Sequence, residues 1–133
     1  TNTGIGFPTR VAPGTVGVAT LYSNWDSGFY QGSDYPKAYH IKIDGTTDGT
    51  SIGKATFKIS EDDGVSYPSD WVKNLTGTTW INISKGFLIR WAPALTPGTN
   101  PQLSMNDEWR IVCLPSNVTT SSYDSKSGRF GRG

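Results

Sequence analysis

The chain has 133 residues, with 12 Lys and Arg against 11 Asp and Glu and a formal net charge of +1, which makes one domain around one core the expectation. Val, Ile, Thr, Tyr, Phe and Trp number 48, against 17 for Ala, Leu, Glu, Gln and Met, a balance that excludes a helical bundle or coiled coil. No run approaches the about 18 apolar residues of a membrane span, and near-neutral charge supplies no general attraction to nucleic acid, so neither a membrane span nor a direct nucleic-acid partner is expected.

Residues 1–14 carry three Gly and two Pro and read as an extended N-terminal arm that would lie on a neighbouring subunit, since neither residue type holds a helix. A first strand is predicted over Thr15 to Tyr22. The stretch 23–36 mixes turn residues with Trp25, Phe29, Tyr30 and Tyr35 and reads as a long loop, a length that compact domains keep mostly for function. From Ala38 the period is two: Tyr39, Ile41 and Ile43 fall on one face, His40 and Lys42 on the other. After the Asp44–Thr50 turn, Ala55, Phe57 and Ile59 alternate with Lys54, Thr56, Lys58 and Ser60, and Glu61-Asp-Asp-Gly64 closes that strand.

Three more strands are predicted, over Thr79 to Ile83, Phe87 to Trp91 and Glu108 to Leu114. Short strands separated by turns imply an all-β fold, an antiparallel β-sandwich over residues 15–115. Its expected core is Tyr39, Ile41, Ile43, Phe57, Ile59, Ile81, Ile83, Phe87, Ile89, Trp91, Trp109 and Ile111. Residues 116–133 are mostly Ser, Thr, Gly and Asn, a composition that cannot bury enough surface to order itself. They read as a C-terminal arm that a neighbouring subunit would hold, with Lys126, Arg129 and Arg132 facing an acidic patch of that partner.

Candidate chemistry is sparse. His40 is the single histidine and lies on a polar strand face with no nucleophile signature such as Gly-x-Ser-x-Gly elsewhere, so an enzyme is not expected. Cys113 shares a face with Trp109 and Ile111 and reads as a buried small hydrophobe. Two Glu and nine Asp are too few and too turn-bound for a facing carboxylate pair. Asp44, Asp48, Asp62 and Asp63 would suit a calcium ion if their loops converged at one end of the fold, but ordinary turn chemistry is the preferred reading and no cofactor is expected. Trp25, Phe29, Tyr30 and Tyr35, with Asn24, Asp26 and Gln31 beside them, form a contact surface for another protein chain or, alternatively, a stacking platform for a glycan.

In order along the chain, Tyr39-His-Ile-Lys-Ile-Asp44, Gly53-Lys-Ala-Thr-Phe-Lys-Ile-Ser60, Asp62-Asp-Gly64, Leu88-Ile-Arg-Trp91 and Asn106-Asp-Glu-Trp-Arg-Ile111 resemble a β-rich module of tailed-bacteriophage virion proteins. That module usually shows an aromatic-led strand, a Gly-x-Ala-Thr-Phe-x-x-Ser strand, an Asp-Gly-Gly turn and a closing Gly-Asp-x-Trp strand. The resemblance covers residues 39–112 and departs from the pattern at Val65 and Asn106, each standing where Gly is common. It implies a structural subunit of the virion (tail, neck, baseplate, fibre or capsid decoration), a homo-oligomer whose partners are neighbouring copies and other virion proteins.

Overall fold

The computed structural model describes residues 4–11, 16–32 and 35–115. These residues are all-β, with a single 3-10 turn at Ser69–Trp71 and no α-helix among them. Eight strands occur among them: β1 (Thr9–Arg10), β2 (Thr20–Ser23), β3 (Lys37–Gly45), β4 (Thr56–Ser60), β5 (Asn74–Leu75), β6 (Ile81–Ser84), β7 (Phe87–Ala92) and β8 (Glu108–Cys113). They form two antiparallel sheets, a larger one in the order β1-β8-β3-β4-β5 and a smaller one in the order β2-β7-β6. β3 is the central strand of the larger sheet, pairing Ile41 with Ile59 of β4 and with Trp109 of β8.

Period-two alternation decides which side chains meet. Tyr39, Ile41 and Ile43 of β3, Phe57 and Ile59 of β4, and Trp109, Ile111 and Cys113 of β8 are buried, as are Leu21, Phe87, Ile89 and Trp91 of the smaller sheet. The two inner faces touch through aromatic rings: Trp91 lies 5.0 Å from Phe57 and 6.0 Å from Trp109, and Tyr39 lies 4.9 Å from Phe87. Burying such a side chain stabilises the fold by about 1.5–3 kcal/mol each. Ile81 and Ile83, expected in the core, are only half-buried and flank it, because β6 is the outer strand of its sheet. Tyr30, Leu103 and Ile5 are core residues that the alternation did not mark.

Two expectations need correction. The predicted first strand shrinks to Thr20–Ser23; before it, Val18 and Ala19 donate their N–H groups to the carbonyls of Pro101 and Gln102, so the chain runs beside the 101–103 loop instead of entering a ladder. The described part of the N-terminal arm lies on its own chain. Ile5 bridges Cys113, Thr9–Arg10 pairs with β8, and the N–H groups of Val11 and Leu114 reach the carbonyls of Glu108 and Gly4. β8 would otherwise expose an open edge, and glycine permits the approach: a Cβ at Gly6 would sit 2.5 Å from the Val112 carbonyl oxygen. Residues 116–133, with Lys126, Arg129 and Arg132, lie outside the described residues.

The residue before β8 pins these segments together. Asp107 is fully buried and its carboxylate accepts N–H bonds from Val16 at 2.7 Å, Gly17 at 3.0 Å and Ser104 at 2.8 Å. Asn106, where the resembled pattern has Gly, takes φ of 69°, the left-handed conformation that Asn tolerates better than most residues. Val65 needs no such freedom, because the left-handed positions of its turn are Asp63 and Gly64. Asp107→Ala strips the acceptor from three N–H donors and is expected to lower stability to urea by about 2–4 kcal/mol. Asn106→Val is expected to cost about 1–2 kcal/mol through backbone strain, while Asn106→Gly leaves stability unchanged or higher; equal urea midpoints for all three variants would refute this account of the turn.

Candidate functional site

The aromatic loop after β2 is anchored by two side chains. Asn24 is buried; its side-chain amide donates to the Gly86 carbonyl at 2.9 Å, its side-chain oxygen accepts from Leu88 N–H at 2.9 Å, and its own carbonyl accepts from the N–H groups of Ser27 and Gly28. This closes the loop onto the β6–β7 hairpin, whose turn residues Lys85 and Gly86 both have positive φ. The second anchor is Tyr30, which lies in the core with its hydroxyl 2.9 Å from that of Tyr39. Burial, reinforced by that hydroxyl pair, pushes the Tyr30 phenol far above its usual range. Tyr30 is therefore a packing residue and not the contact residue expected from the sequence, and Asn24 is an anchor and not a ligand group.

Between and beyond these anchors Trp25, Phe29 and Tyr35 project outward; Phe29 is 63% and Tyr35 76% exposed. Trp25 meets Phe7 edge-on at 6.0 Å between ring centroids. Phe7 and Trp25 form one wall of a groove of about 300 Å³ whose lining also includes Tyr22, Asp26, Trp80 and Arg90. Tyr22 and Arg90 are directly opposite each other across β2 and β7. The Arg90 guanidinium lies 4.8 Å from the Tyr22 ring centroid and 5.2 Å from that of Trp80, stacked on both. Of these groove residues only Trp25 and Asp26 are marked by the sequence; Phe7, Tyr22, Trp80 and Arg90 come from four separate segments.

A second polar cluster sits on the outer face of the larger sheet. His40 is buried rather than wet, because the 61–67 segment folds back over β3: Asp63 N–H donates to the Ala38 carbonyl, and Gly64 lies against the imidazole ring. Its Nδ1 hydrogen-bonds Glu108 and its Nε2 lies 2.8 Å from Asp63. Carboxylates only accept, so the ring satisfies both partners when it carries two N–H protons. Arg110, paired with His40 across β3 and β8, donates to Asp63 at 2.8 Å. The Tyr67 hydroxyl donates to Glu108 at 3.1 Å, and Lys58 stacks on the Tyr67 ring. With both nitrogens engaged and the Ser60 hydroxyl donating to Asp62, the arrangement is a latch that holds the segment to the sheet; it offers no open base beside a nucleophile.

The four acidic residues considered for calcium do not converge. Asp44 and Asp48 lie at the end where β3 turns toward β4, Asp62 and Asp63 at the opposite end of β4. Asp44 accepts from Thr56 and Lys73, and Asp62 from Ser60 and Ser66. No cluster of three or more His, Cys, Asp or Glu that could hold a metal occurs among the described residues. Cys113 is buried, and burial pushes its thiol up to about 12. No protein-family model, curated protein or solved structure matches the chain.

Two measurements test this geometry. Hydrogen bonds from Arg110 and then His40 hold the Asp63 carboxyl down at about 2, against 3.8 ordinarily. A lowered folded value means that its contribution is complete above the ordinary value and fades as pH falls from about 4 toward 2. Asp63→Asn is expected to flatten the pH dependence of the denaturation midpoint in that window and to speed amide exchange in residues 61–67 at neutral pH. Native protein at pH 8 is expected to resist a thiol reagent at Cys113 and to react only once unfolded; rapid labelling of the native state would contradict the burial of that thiol.

Proposed function

We propose that this chain is a non-enzymatic β-sandwich module of a tailed-phage virion, a structural subunit that works by protein–protein contact with neighbouring copies. The observation that carries this reading is the anchored loop between β2 and β3. Asn24 and Tyr30 fix its backbone to the core, while Phe29 and Tyr35 stand clear of it. A segment whose backbone is already tied down at residues 24 and 30 pays less ordering cost on association, and aromatic residues dominate contact energies in protein interfaces. The resemblance of residues 39–112 to virion modules, with inner faces of two antiparallel sheets sharing one aromatic core, supports the same class. The latch at His40 and the buried Cys113 favour a scaffold over a catalyst.

The localisation is tested by labelling purified virions of the source phage with antibodies against the chain; unlabelled particles would refute it. The contact surface is tested in solution. The 133-residue chain is expected to self-associate with rising concentration in sedimentation, and Phe29→Ser with Tyr35→Ser to weaken that association at least tenfold while the thermal midpoint stays within a few degrees. Unchanged association in the double variant would remove this loop from the interface.

A further inference from the structure

We propose that the groove between Trp25 and Trp80 is a binding site for a neutral, polyhydroxylated ring, that is, a sugar residue of a glycan. The site lies on the Trp25 side of the aromatic loop, is built without Phe29 and Tyr35, and does not rest on the virion reading. Three features carry it. Exposed aromatic side chains come first: Phe7 is 57% and Trp25 and Trp80 are each 44% exposed, although all three line one concave surface. An amphipathic ring with an apolar C–H face covers such aromatics while leaving its polar edge free.

The second feature is an unspent donor and an unspent acceptor. Arg90 is held by stacking on Tyr22 and Trp80, yet its guanidinium N–H groups meet no carboxylate or carbonyl among the described residues, and Asp26 accepts no hydrogen bond among them. The two charges line the same groove without pairing with each other. An apolar protein side chain seated here would desolvate both and satisfy neither. An anion would match Arg90 and be repelled by Asp26. Hydroxyl groups answer both, since each donates to a carboxylate and accepts from a guanidinium.

Size is the third feature. About 300 Å³ lies at the low end of small-ligand sites, roughly 300 to 1,000 Å³, and is small for a protein interface of ordinary extent. The frame is also fixed before any ligand arrives. Tyr22 and Arg90 are a cross-strand pair, and Ser23 Oγ donates to the Gly6 carbonyl at 2.6 Å, which ties the Phe7 segment to β2.

The test is binding of the full 133-residue chain to an array of neutral, uronic-acid-bearing and sulfated oligosaccharides, with hits measured by tryptophan fluorescence titration. Neutral oligosaccharides are expected to bind and to shift the emission. Trp80→Ala and Asp26→Asn are each expected to weaken binding at least tenfold, and Phe29→Ser with Tyr35→Ser to leave it within twofold. Asp26→Asn alters an exposed side chain that makes no bond within the described fold, so it remains decisive if Trp80→Ala folds poorly. Binding confined to acidic oligosaccharides, binding unchanged in Asp26→Asn, or a silent array would each overturn the proposal. So would an emission shift produced only by self-association or by a peptide of residues 116–133.

Discussion

Trp91 is the point on which the two sheets depend. It belongs to the middle strand of the smaller sheet, yet its ring packs edge-on against Phe57 and Trp109 of the larger one. A sheet that is apolar on one face must bury that face against another element. The cost of the arrangement is visible in the indole nitrogen, which is buried without a hydrogen-bond partner among the described residues. Leaving such a group unpaired costs on the order of 1–3 kcal/mol, and burial of the rest of so large a ring offsets it.

Around that apolar seam, the connections are fixed by buried polar side chains that each serve several backbone groups. Asp107 gathers N–H groups from the 16–17 and 104 segments. Asn24 joins the aromatic loop to the β6–β7 hairpin. His40, Glu108, Asp63 and Arg110 hold the 61–67 turn on the outer face of the larger sheet. These devices share a logic: strands supply their own backbone partners, whereas loops leave donors and acceptors that a buried side chain must satisfy. The result is a set of described loop segments tied to the sheets at named backbone groups.

The strands were legible because alternation is a local property. Phe87-Leu-Ile-Arg-Trp91 and Glu108-Trp-Arg-Ile111 announce an inner and an outer face within five residues, and both faces are as expected. What was not legible depends on distance. Nothing local separates Tyr30 from Phe29 or Tyr35; only the position of the Tyr39 hydroxyl makes one of them core. His40 occupies an outer-face position, and its burial comes from a turn more than twenty residues later. Asp107 looks like any acidic residue before a strand until the 16–17 segment arrives beside it. The groove is the extreme case, since Phe7, Tyr22, Trp25, Trp80 and Arg90 meet only after both sheets have formed. One signal was available: an arginine on the outer face of a strand, placed opposite a tyrosine, invites stacking.

Stacking also explains why Arg90 suits a recognition role better than a salt-bridged arginine would. An exposed guanidinium on a flexible stem loses rotamer freedom when it binds, and that loss subtracts from affinity. Here Tyr22 and Trp80 already confine the guanidinium by contact with their rings, and its N–H groups meet no carboxylate or carbonyl among the described residues. A salt bridge would fix the group by consuming those same donors. The two aromatic rings therefore separate positioning from recognition: contact with the rings positions the guanidinium, and its N–H donors are left to whatever enters the groove.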